Sequence, residues 1–356
     1  MKERLAYRSQ FQPAPRRKDD GDFYALPGST ARRRSPYRTS SRTTKYIIRQ
    51  LLRLSIAIML PSGDDIPTVA LGTWKASSED VGAAVKAALE AGYRHIDGAW
   101  VYGNEAAIGQ ALKEVEHHVP RESLFITSKL WNTFHNPDDV EATLDETLAH
   151  LQTNYLDLYL MHWPIAQTAD FKVDWELTEN PIRTWKKMEE MVRKGKVRNI
   201  GVSNFNIRRL QNLTASDITI RPAVNQVELS YWNPQPELVS WSKDNGILLE
   251  AYSPLGSDVL VGKTLRLPPV RKIAKKLKIT PAQVIMSWHV QRGTVVLPKS
   301  VDGGRISENY QIFRLPADLF NELEAAATAH RPHRINDPSS HWGIDIFEDD
   351  KEDDFH

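Results

Sequence analysis

The stretch SSEDVGAAVKAALEAGYRHIDGAWVYGNE, Ser77 to Glu105, shows the unit from which the fold is predicted. Apolar residues recur at helical spacing in its first half, with Ser78 as the expected N-cap and Gly92 as the stop. The run RHIDGA then indicates a buried strand that ends on a carboxylate, Asp97. Tyr102 follows in the turn before the next helical pattern. A helix, a buried strand and another helix in succession are typical of an α/β protein.

The same rhythm continues on both sides of this stretch. Upstream, SIAIML-PSGDDIP-TVALGTW predicts a β-hairpin that leads into a strand. From Thr68 onward, eight short apolar runs alternate with helical patterns. The runs are continuously apolar, which predicts strands buried on both faces of a parallel sheet. Eight such units in about 260 residues favour a single closed (β/α)8 TIM barrel over an open doubly wound sheet.

Charge divides the chain into a body and two ends. Residues 1–54 hold 14 Lys and Arg against 4 Asp and Glu, whereas the remainder holds 32 basic and 41 acidic residues. We therefore predict a disordered basic extension over 1–54, because its polar composition cannot form a core. The barrel is predicted over 55–347, followed by an acidic tail over 348–356. The mildly acidic body gives no indication of nucleic-acid binding.

The apolar run YIIRQLLRLSIAIML, Tyr46 to Leu60, is 15 residues long and carries two arginines. A transmembrane helix needs about 20 apolar residues, so no membrane association is predicted. We expect a cytoplasmic protein. Mitochondrial targeting stays open as the alternative, because the N-terminal extension is basic and Ser-rich although it contains aspartates. The absence of cysteine excludes disulfides, thiolate catalysis and Cys-type zinc sites, and no metal site is expected.

Polar or aromatic residues stand at the predicted carboxyl end of every strand, where barrel enzymes have their active sites. In chain order they are Trp74, Asp97, Lys129, His162, Ser203 with Asn204, Gln226, Tyr252, and Lys299 with Ser300. A solvated rim is the alternative explanation, and a single buried His in such a place is usually structural. A rim does not account for an Asp, a Lys and a His on three consecutive strands. Their convergence predicts an active site.

Seven segments resemble the aldo-keto reductases, in order: GYRHIDGAWVYGNE, FITSKLW, YLMHWP, GVSNF, NQVE, AYSPLGS and LPKS…RISEN. Each is weak alone, but the combination is specific, and the resemblance covers about Ser55 to Phe347. It implies a (β/α) barrel that binds NADP(H) in an extended form without a Rossmann domain. It also implies an oxidoreductase acting on CH–OH groups, which transfers hydride to an aldehyde or ketone.

The resemblance assigns the catalytic group to Asp97, Tyr102, Lys129 and His162. A tyrosine with a usual pKa near ~10 keeps its proton at neutral pH. The ammonium of Lys129 is expected to lower the pKa of Tyr102, and Asp97 is expected to offset the buried ammonium. Tyr102 then donates its proton to the substrate oxygen. His162 donates a hydrogen bond to the same oxygen.

The resemblance also implies the cofactor site. Ser203, Asn204 and Gln226 match the side chains that bind the nicotinamide carboxamide. Tyr252 matches the aromatic ring that stacks on the nicotinamide. Thr73, Trp74 and Lys75 are expected near the pyrophosphate and the pocket, and Ser253 and Leu255 are also expected to bind the cofactor. The residues matching the adenosine and 2′-phosphate pocket are Lys299, Ser300, Arg305, Glu308 and Asn309.

The substrate is expected to be a small molecule in an apolar pocket. The residues predicted to contact it are Trp74, Trp131, His162, Trp163 and Asn336. The segment RINDP resembles the Asn-containing segment of fungal-type aldose reductases, which implies a small sugar or polyol aldehyde with Asn336 as a contact. A monomer or weak dimer is expected.

One segment and two alternative functions compete with the reductase interpretation. GSDVLVGKT, Gly256 to Thr264, resembles a phosphate-binding P-loop, but five residues separate its glycines where that loop needs four. We expect this stretch to lie in a long loop over the cofactor. A regulatory, non-metabolic NADP(H)-binding barrel and an inactive barrel scaffold are the alternative functions. The full set of catalytic residues and the pocket-closing C-terminal loop favour a metabolic reductase.

Overall fold

The computed structural model describes residues 57–348. The predicted basic extension, 1–54, and residues 349–356 of the predicted acidic tail lie outside the described residues. The chain opens with the predicted hairpin, in which β1 (Ala57–Met59) pairs antiparallel with β2 (Asp65–Pro67). Ile66 is fully buried and packs with interior residues of the following sheet, including Leu158 and Val295. The hairpin therefore covers one end of the sheet.

Between residues 57 and 348, eight parallel strands follow: β3 (Ala70–Gly72), β4 (His95–Asp97), β5 (Phe125–Leu130), β6 (Leu156–Met161), β7 (Val197–Ser203), β8 (Val224–Glu228), β9 (Leu248–Tyr252) and β10 (Val295–Leu297). Each pairs in parallel with its neighbour in the chain. Parallel bridges from Val69 to Val296 and from Gly72 to Lys299 join the first strand to the last. The predicted (β/α)8 barrel is confirmed.

Helices surround this sheet and bury one apolar face against it. They are α1 (Ser78–Ala91), α2 (Glu105–Val115), α3 (Pro137–Leu151), α4 (Trp175–Glu179), α5 (Ile182–Arg193), α6 (Ile207–Thr214), α7 (Pro236–Asp244), α8 (Ser257–Thr264), α9 (Pro268–Leu277), α10 (Pro281–Gln291), α11 (Gly303–Tyr310), α12 (Ala317–Thr328) and α13 (Ser339–Trp342). Side chains of these helices and the outward faces of the strands form one large core. The helices cover the sides of the barrel. The carboxyl ends of the strands and the loops that follow them therefore remain available to form the functional site.

Two local predictions are corrected. The N-cap of α1 is Ser77, not Ser78, because Ser77 has extended backbone angles and its side chain accepts a hydrogen bond from the Asp80 amide. The stretch expected to be loop is helical over Ser257–Thr264, and Gly256 begins it with a φ of +83°. The first glycine of this stretch caps the helix and the second lies inside it, so the two glycines do not form a phosphate-binding loop.

No helix within residues 57–348 is long and apolar enough to cross a membrane. The same residues contain no group of three or more His, Asp or Glu side chains that could hold a metal ion.

Candidate active site

The carboxyl ends of β4 and β5 bring Asp97 and Lys129 into contact. Lys129 is fully buried, and its Nζ lies 2.8 and 2.9 Å from the two carboxylate oxygens of Asp97 and 2.8 Å from the Gly98 carbonyl oxygen. These acceptors are enough for all three N–H bonds of an ammonium. The expected pairing of a buried cation with Asp97 is thus present in the structure.

Tyr102 lies beside this pair, at the end of a 3-10 turn between β4 and α2. The Nζ of Lys129 is 5.2 Å from the centre of the Tyr102 ring. Burial, and after it the Asp97 carboxylate, raise the pKa of Tyr102 well above its usual value. The predicted net lowering of the Tyr102 pKa is therefore wrong for this structure, because burial and the Asp97 carboxylate outweigh the effect of the Lys129 ammonium. Tyr102 holds its proton at neutral pH, as a general acid must.

His162 follows β6 directly and faces Tyr102, with the ring centroids 5.7 Å apart. Burial lowers the pKa of His162 well below its usual value, and the positive charge of Lys129 and the neighbouring His135 lower it further. Its Nδ1 is buried and has no hydrogen-bond partner among the described residues. His162 is therefore a neutral imidazole, which can donate one hydrogen bond to a ligand oxygen.

The predicted nicotinamide-binding residues form a connected network. The Ser203 hydroxyl donates to the Gln226 carbonyl oxygen at 2.8 Å, and the Tyr252 hydroxyl donates to Oδ1 of Asn204 at 2.8 Å. Asn204 has a φ of +65° and donates from Nδ2 to the His162 carbonyl oxygen at 3.0 Å. The network therefore touches the catalytic group through the backbone of His162.

Gln226 links this network to Asp97 of the predicted catalytic group. Its Nε2 lies 2.8 Å from Oδ1 of Asp97 and 2.8 Å from Oε2 of Glu250. Both N–H bonds of the amide are thereby used, which leaves its oxygen as the group that can accept a hydrogen bond from a ligand. Glu250 was not among the predicted site residues. Its position inside the otherwise apolar strand LLEAY could have indicated a site residue.

Thr73 and Trp74, predicted near the pyrophosphate, directly follow β3. Thr73 is buried and donates to the Asp97 carbonyl oxygen at 2.8 Å, so its hydroxyl supports the catalytic strand. Trp74 is partly exposed, with Nζ of Lys75 4.6 Å from its ring. Lys75 also pairs with Asp258 of α8 at 3.5 Å. This exposed ion pair connects the loop after β3 with the segment that follows β9.

Four other predicted cofactor residues lie in the segments that follow β9 and β10. Ser253 and Leu255 occupy the turn between β9 and α8, where Ser253 has a φ of +50°. Lys299 and Ser300 directly follow β10. Partial burial lowers the pKa of Lys299, whereas the neighbouring Asp80 opposes that shift.

Helix α11 carries the remaining three predicted cofactor residues. Arg305 is exposed in its first turn, and Asn309 is buried in its last turn. Oε1 of Glu308 accepts a hydrogen bond from the Thr280 hydroxyl at 2.7 Å, which ties α11 to the start of α10. The role of these residues in holding the adenosine and the 2′-phosphate stays a prediction.

Glu228, the last residue of β8, holds the C-terminal loop on the site. Its carboxylate accepts hydrogen bonds from the amides of Ile335, at 2.9 and 3.1 Å, and Asn336, at 2.7 Å. The Asn336 side chain lies 3.3 Å from the Tyr252 hydroxyl, to which its Nδ2 donates. Asn336 is therefore next to the predicted nicotinamide residues. Glu228 was missed as a site residue, although it belongs to the quoted NQVE segment.

An aromatic wall completes the site. Trp131 and Trp163 are buried, as expected for pocket residues next to His162. The ring of Trp342, from α13, lies 6.3 Å from Trp131 and 5.2 Å from Trp163, in edge-to-face contact with both. Trp342 was not predicted, although it stands within the loop that was expected to close the pocket.

The sequence pattern of the Aldo/keto reductase family matches residues 68–328. The chain belongs to this family. It is 46% identical to mouse Aldo-keto reductase family 1 member A1 over 275 residues, which cover 72% of this chain and 84% of the relative. It is also 41% identical to Glycerol 2-dehydrogenase (NADP(+)) of Saccharomyces cerevisiae over 299 residues, 79% of this chain and 94% of the relative.

Solved structures of family members have the same fold. The aldose reductase of Schistosoma japonicum superposes with a TM-score of 0.75 at 40% identity, covering 83% of this chain and 99% of its own. The aldo-keto reductase of Bombyx mori, solved in complex with NADP, superposes with a TM-score of 0.76 at 36% identity over the same shares. The likeness therefore extends over nearly the whole of each neighbour.

Proposed function

We propose that the protein is an NADP(H)-dependent carbonyl reductase that converts an aldehyde or ketone to the alcohol, with Tyr102 as the general acid. One observation carries this proposal. A protonated tyrosine, a neutral histidine and a compensated Lys–Asp pair, from three consecutive strands, lie together in the barrel opening. In such a group Tyr102 can give a proton to a substrate oxygen while the charges of Lys129 and Asp97 offset each other.

The cofactor is NADP(H), and the residues present fit it. A nicotinamide carboxamide offers one acceptor and two donors. The oxygen of Gln226 remains as an acceptor, because its nitrogen is held by Asp97 and Glu250. Ser203 and Asn204 lie beside it, and the Tyr252 ring flanks them. When bound, NADPH supplies the hydride that reduces the carbonyl carbon.

The protein side of the mechanism follows from the two polar groups at the opening. His162 donates a hydrogen bond that orients and polarises the substrate oxygen. Tyr102 then transfers its phenolic proton to that oxygen as negative charge develops on it. The charge left on Tyr102 is stabilised by the nearby Lys129 ammonium, 5.2 Å from the ring centre. Asp97 keeps Lys129 in position through two hydrogen bonds.

A small sugar or polyol aldehyde is the proposed substrate class. Asn336 presents an amide beside Tyr252, where it can bond a substrate hydroxyl. The facing Trp131, Trp163 and Trp342 rings suit the carbon skeleton of such a molecule. The name of the yeast relative, Glycerol 2-dehydrogenase (NADP(+)), supports a small polyol and its carbonyl form, which for C2 of glycerol is a ketone.

A regulatory NADP(H)-binding barrel remains the alternative function. It requires the cofactor residues but neither an intact acid nor a closed substrate pocket. The assembled catalytic group and the docked C-terminal loop favour an enzyme.

The test follows NADPH absorbance with purified protein and a panel of aldehydes: glyceraldehyde, xylose and an aromatic aldehyde. We expect turnover with wild type and its loss in Tyr102→Phe. Binding of NADPH without turnover on any aldehyde or ketone would contradict the reductase and favour the regulatory barrel. A preference for the aromatic aldehyde over both sugars would contradict the substrate class alone.

A further inference from the structure

Glu250 is a buried carboxyl group in the barrel interior that the mechanism above does not use. It lies in the middle of β9, fully enclosed, beside Gln226 of β8 and Val295 of β10 in the strand register. Its Oε2 accepts a hydrogen bond from Gln226 at 2.8 Å. Its Oε1 has no hydrogen-bond partner within the described part of the chain. The nearest basic atom to Oε1 is Nε2 of His95, at 3.8 Å.

The contact with Gln226 connects Glu250 to the catalytic group. The same Nε2 that donates to Glu250 also donates to Oδ1 of Asp97, at 2.8 Å. Asp97 in turn holds Lys129. Glu250 is therefore separated from the catalytic carboxylate by a single amide nitrogen, and it helps to decide which way the Gln226 amide points.

His95, which faces Glu250 from β4, does not supply a positive charge. Its Nδ1 contacts the Pro67 carbonyl oxygen at 3.3 Å, and its Nε2 contacts the Thr127 hydroxyl at 3.0 Å. A carbonyl oxygen can only accept, so Nδ1 carries the proton and Nε2 accepts from Thr127. Burial lowers the pKa of His95 to about 4, in agreement with a neutral ring.

The remaining groups around Glu250 also leave it without a counter-ion. They are Asp97 of β4, Lys129 of β5 and the uncharged amide of Gln226. Lys129 is already compensated by Asp97, so ionised Glu250 would add an unbalanced negative charge to a dry interior. Burial, and after it the Asp97 carboxylate, raise the pKa of Glu250 to about 8. Glu250 therefore carries a proton at neutral pH.

We propose that protonated Glu250 is a positioning residue that holds Gln226 against Asp97, and that loss of its proton slows proton transfer to and from Tyr102. The second part rests on the proposed function. In oxidation Tyr102 must accept a proton, and a second negative charge beside Asp97 keeps the phenol protonated. Reduction forms the same phenolate when Tyr102 gives up its proton, so the added charge slows that direction as well. Glu250 thus makes the rate of proton transfer at Tyr102 depend on pH.

The central variant is Glu250→Gln, which keeps an acceptor for Gln226 but cannot ionise. Near pH 6 we expect its kcat/KM to stay within about twofold of wild type in both directions. Near pH 9 its kcat/KM for alcohol oxidation should exceed that of wild type several-fold, with the pH profile displaced to lower pH. Glu90→Gln, the same change on the exposed face of α1, is the matched control and should follow wild type throughout. Coincident profiles of wild type and Glu250→Gln would overturn the pH-dependent role.

Infrared difference spectroscopy tests the buried proton without any turnover. At neutral pH, wild type minus Glu250→Gln should show the C=O stretch of a protonated carboxylic acid. That band should disappear as the wild type is titrated through about pH 8. A carboxylate band in its place at neutral pH would overturn the assignment, whatever the enzyme activity. The result does not depend on a substrate being known.

Cofactor binding tests the positioning role. Glu250→Leu removes the acceptor for Gln226, and we expect it to weaken NADPH binding about tenfold, whereas Glu250→Gln changes it less than about twofold. Quenching of tryptophan fluorescence measures both. Equal binding of NADPH by the two variants would overturn the positioning of Gln226. Should Glu250→Leu fail to fold, Glu250→Thr removes the same acceptor with a smaller, polar side chain and decides the question.

Discussion

Lys129 donates hydrogen bonds to both carboxylate oxygens of Asp97, at 2.8 and 2.9 Å, across two adjacent strands. The pair is enclosed, because the Lys129 side chain is fully buried and that of Asp97 is 6% exposed. Burial, and after it the Asp97 carboxylate, hold the pKa of Tyr102 above its usual value. Under the proposed mechanism Tyr102 is therefore protonated when substrate binds, and the Lys129 Nζ, 5.2 Å from the ring centre, stabilises the charge formed on it.

Tyr102→Phe should remove turnover and leave NADPH binding nearly intact, because only the proton donor is lost. General acid catalysis typically contributes ~10²–10⁴-fold, so kcat should fall by that order. Steady-state rates and fluorescence titration measure the two effects. Tyr159→Phe is the control, since it removes a hydroxyl that has no hydrogen-bond partner among the described residues. If Tyr102→Phe kept more than about a third of wild-type turnover, Tyr102 would not be the acid.

Asp97→Asn should destabilise the protein, because it leaves the Lys129 ammonium buried without its counter-ion. Removing one partner of a buried ion pair costs ~3–5 kcal/mol. Combining Asp97→Asn with Lys129→Met should restore part of that stability, since the uncompensated charge is gone, while activity stays low. Denaturant unfolding of the single and double variants measures this coupling. Strict additivity of the two changes would show that the pair is not coupled in solution.

Stability should depend on pH through Glu250. Its pKa is raised from 4.5 to about 8 in the folded chain, so the folded state holds a proton that the unfolded state has lost between these values. The folded state therefore loses stability as pH rises through that window. Glu250→Gln should melt at the same temperature as wild type near pH 4 and several degrees higher near pH 8. A constant difference at both pH values would contradict the shift.

Glu228→Ala should loosen the C-terminal loop, because two backbone amides lose their shared acceptor. We expect KM for the carbonyl substrate to rise about tenfold, with a smaller change in NADPH binding. Asn336→Ala should raise the same KM, and the double variant should do little more than Glu228→Ala alone. Glu237→Ala, on the exposed face of α7, is the control. An unchanged KM in Glu228→Ala would show that the loop does not depend on this contact.

Arg305→Ala should weaken binding of NADPH but not of NADH. Arginine can hold a phosphate with two parallel hydrogen bonds, and charge-assisted bonds contribute ~1.5–3 kcal/mol each. After allowance for its exposure we expect a loss of about ten- to a hundred-fold for NADPH alone. Arg271→Ala, on the exposed face of α9, is the control. Equal weakening of both cofactors would mean that Arg305 does not contact the 2′-phosphate.

Much of the scaffold and of the catalytic group could be predicted from local pattern. Eight apolar runs separated by helical patterns are enough to indicate parallel strands, because a strand buried on both faces needs no polar alternation. In a closed parallel barrel all carboxyl strand ends meet on one rim. Asp97, Lys129 and His162 were therefore expected to converge, and the structure brings them together. Local hydrogen bonding was harder to predict, as the N-cap at Ser77 shows.

Only the tertiary structure decided the contacts that join distant parts of the chain. Glu228 meets Asn336 across 108 residues. The ring of Trp342 contacts that of Trp131. The segment that carries Trp342 has no periodic sequence pattern, so its position could not be predicted. The protonation of Tyr102 and Glu250 depends on desolvation and on charges brought by other strands, so residue type alone could not predict it. The sequence by itself determined the barrel and the strand ends that carry the predicted catalytic residues, whereas three-dimensional packing decided the protonation of Tyr102 and the docking of the C-terminal loop.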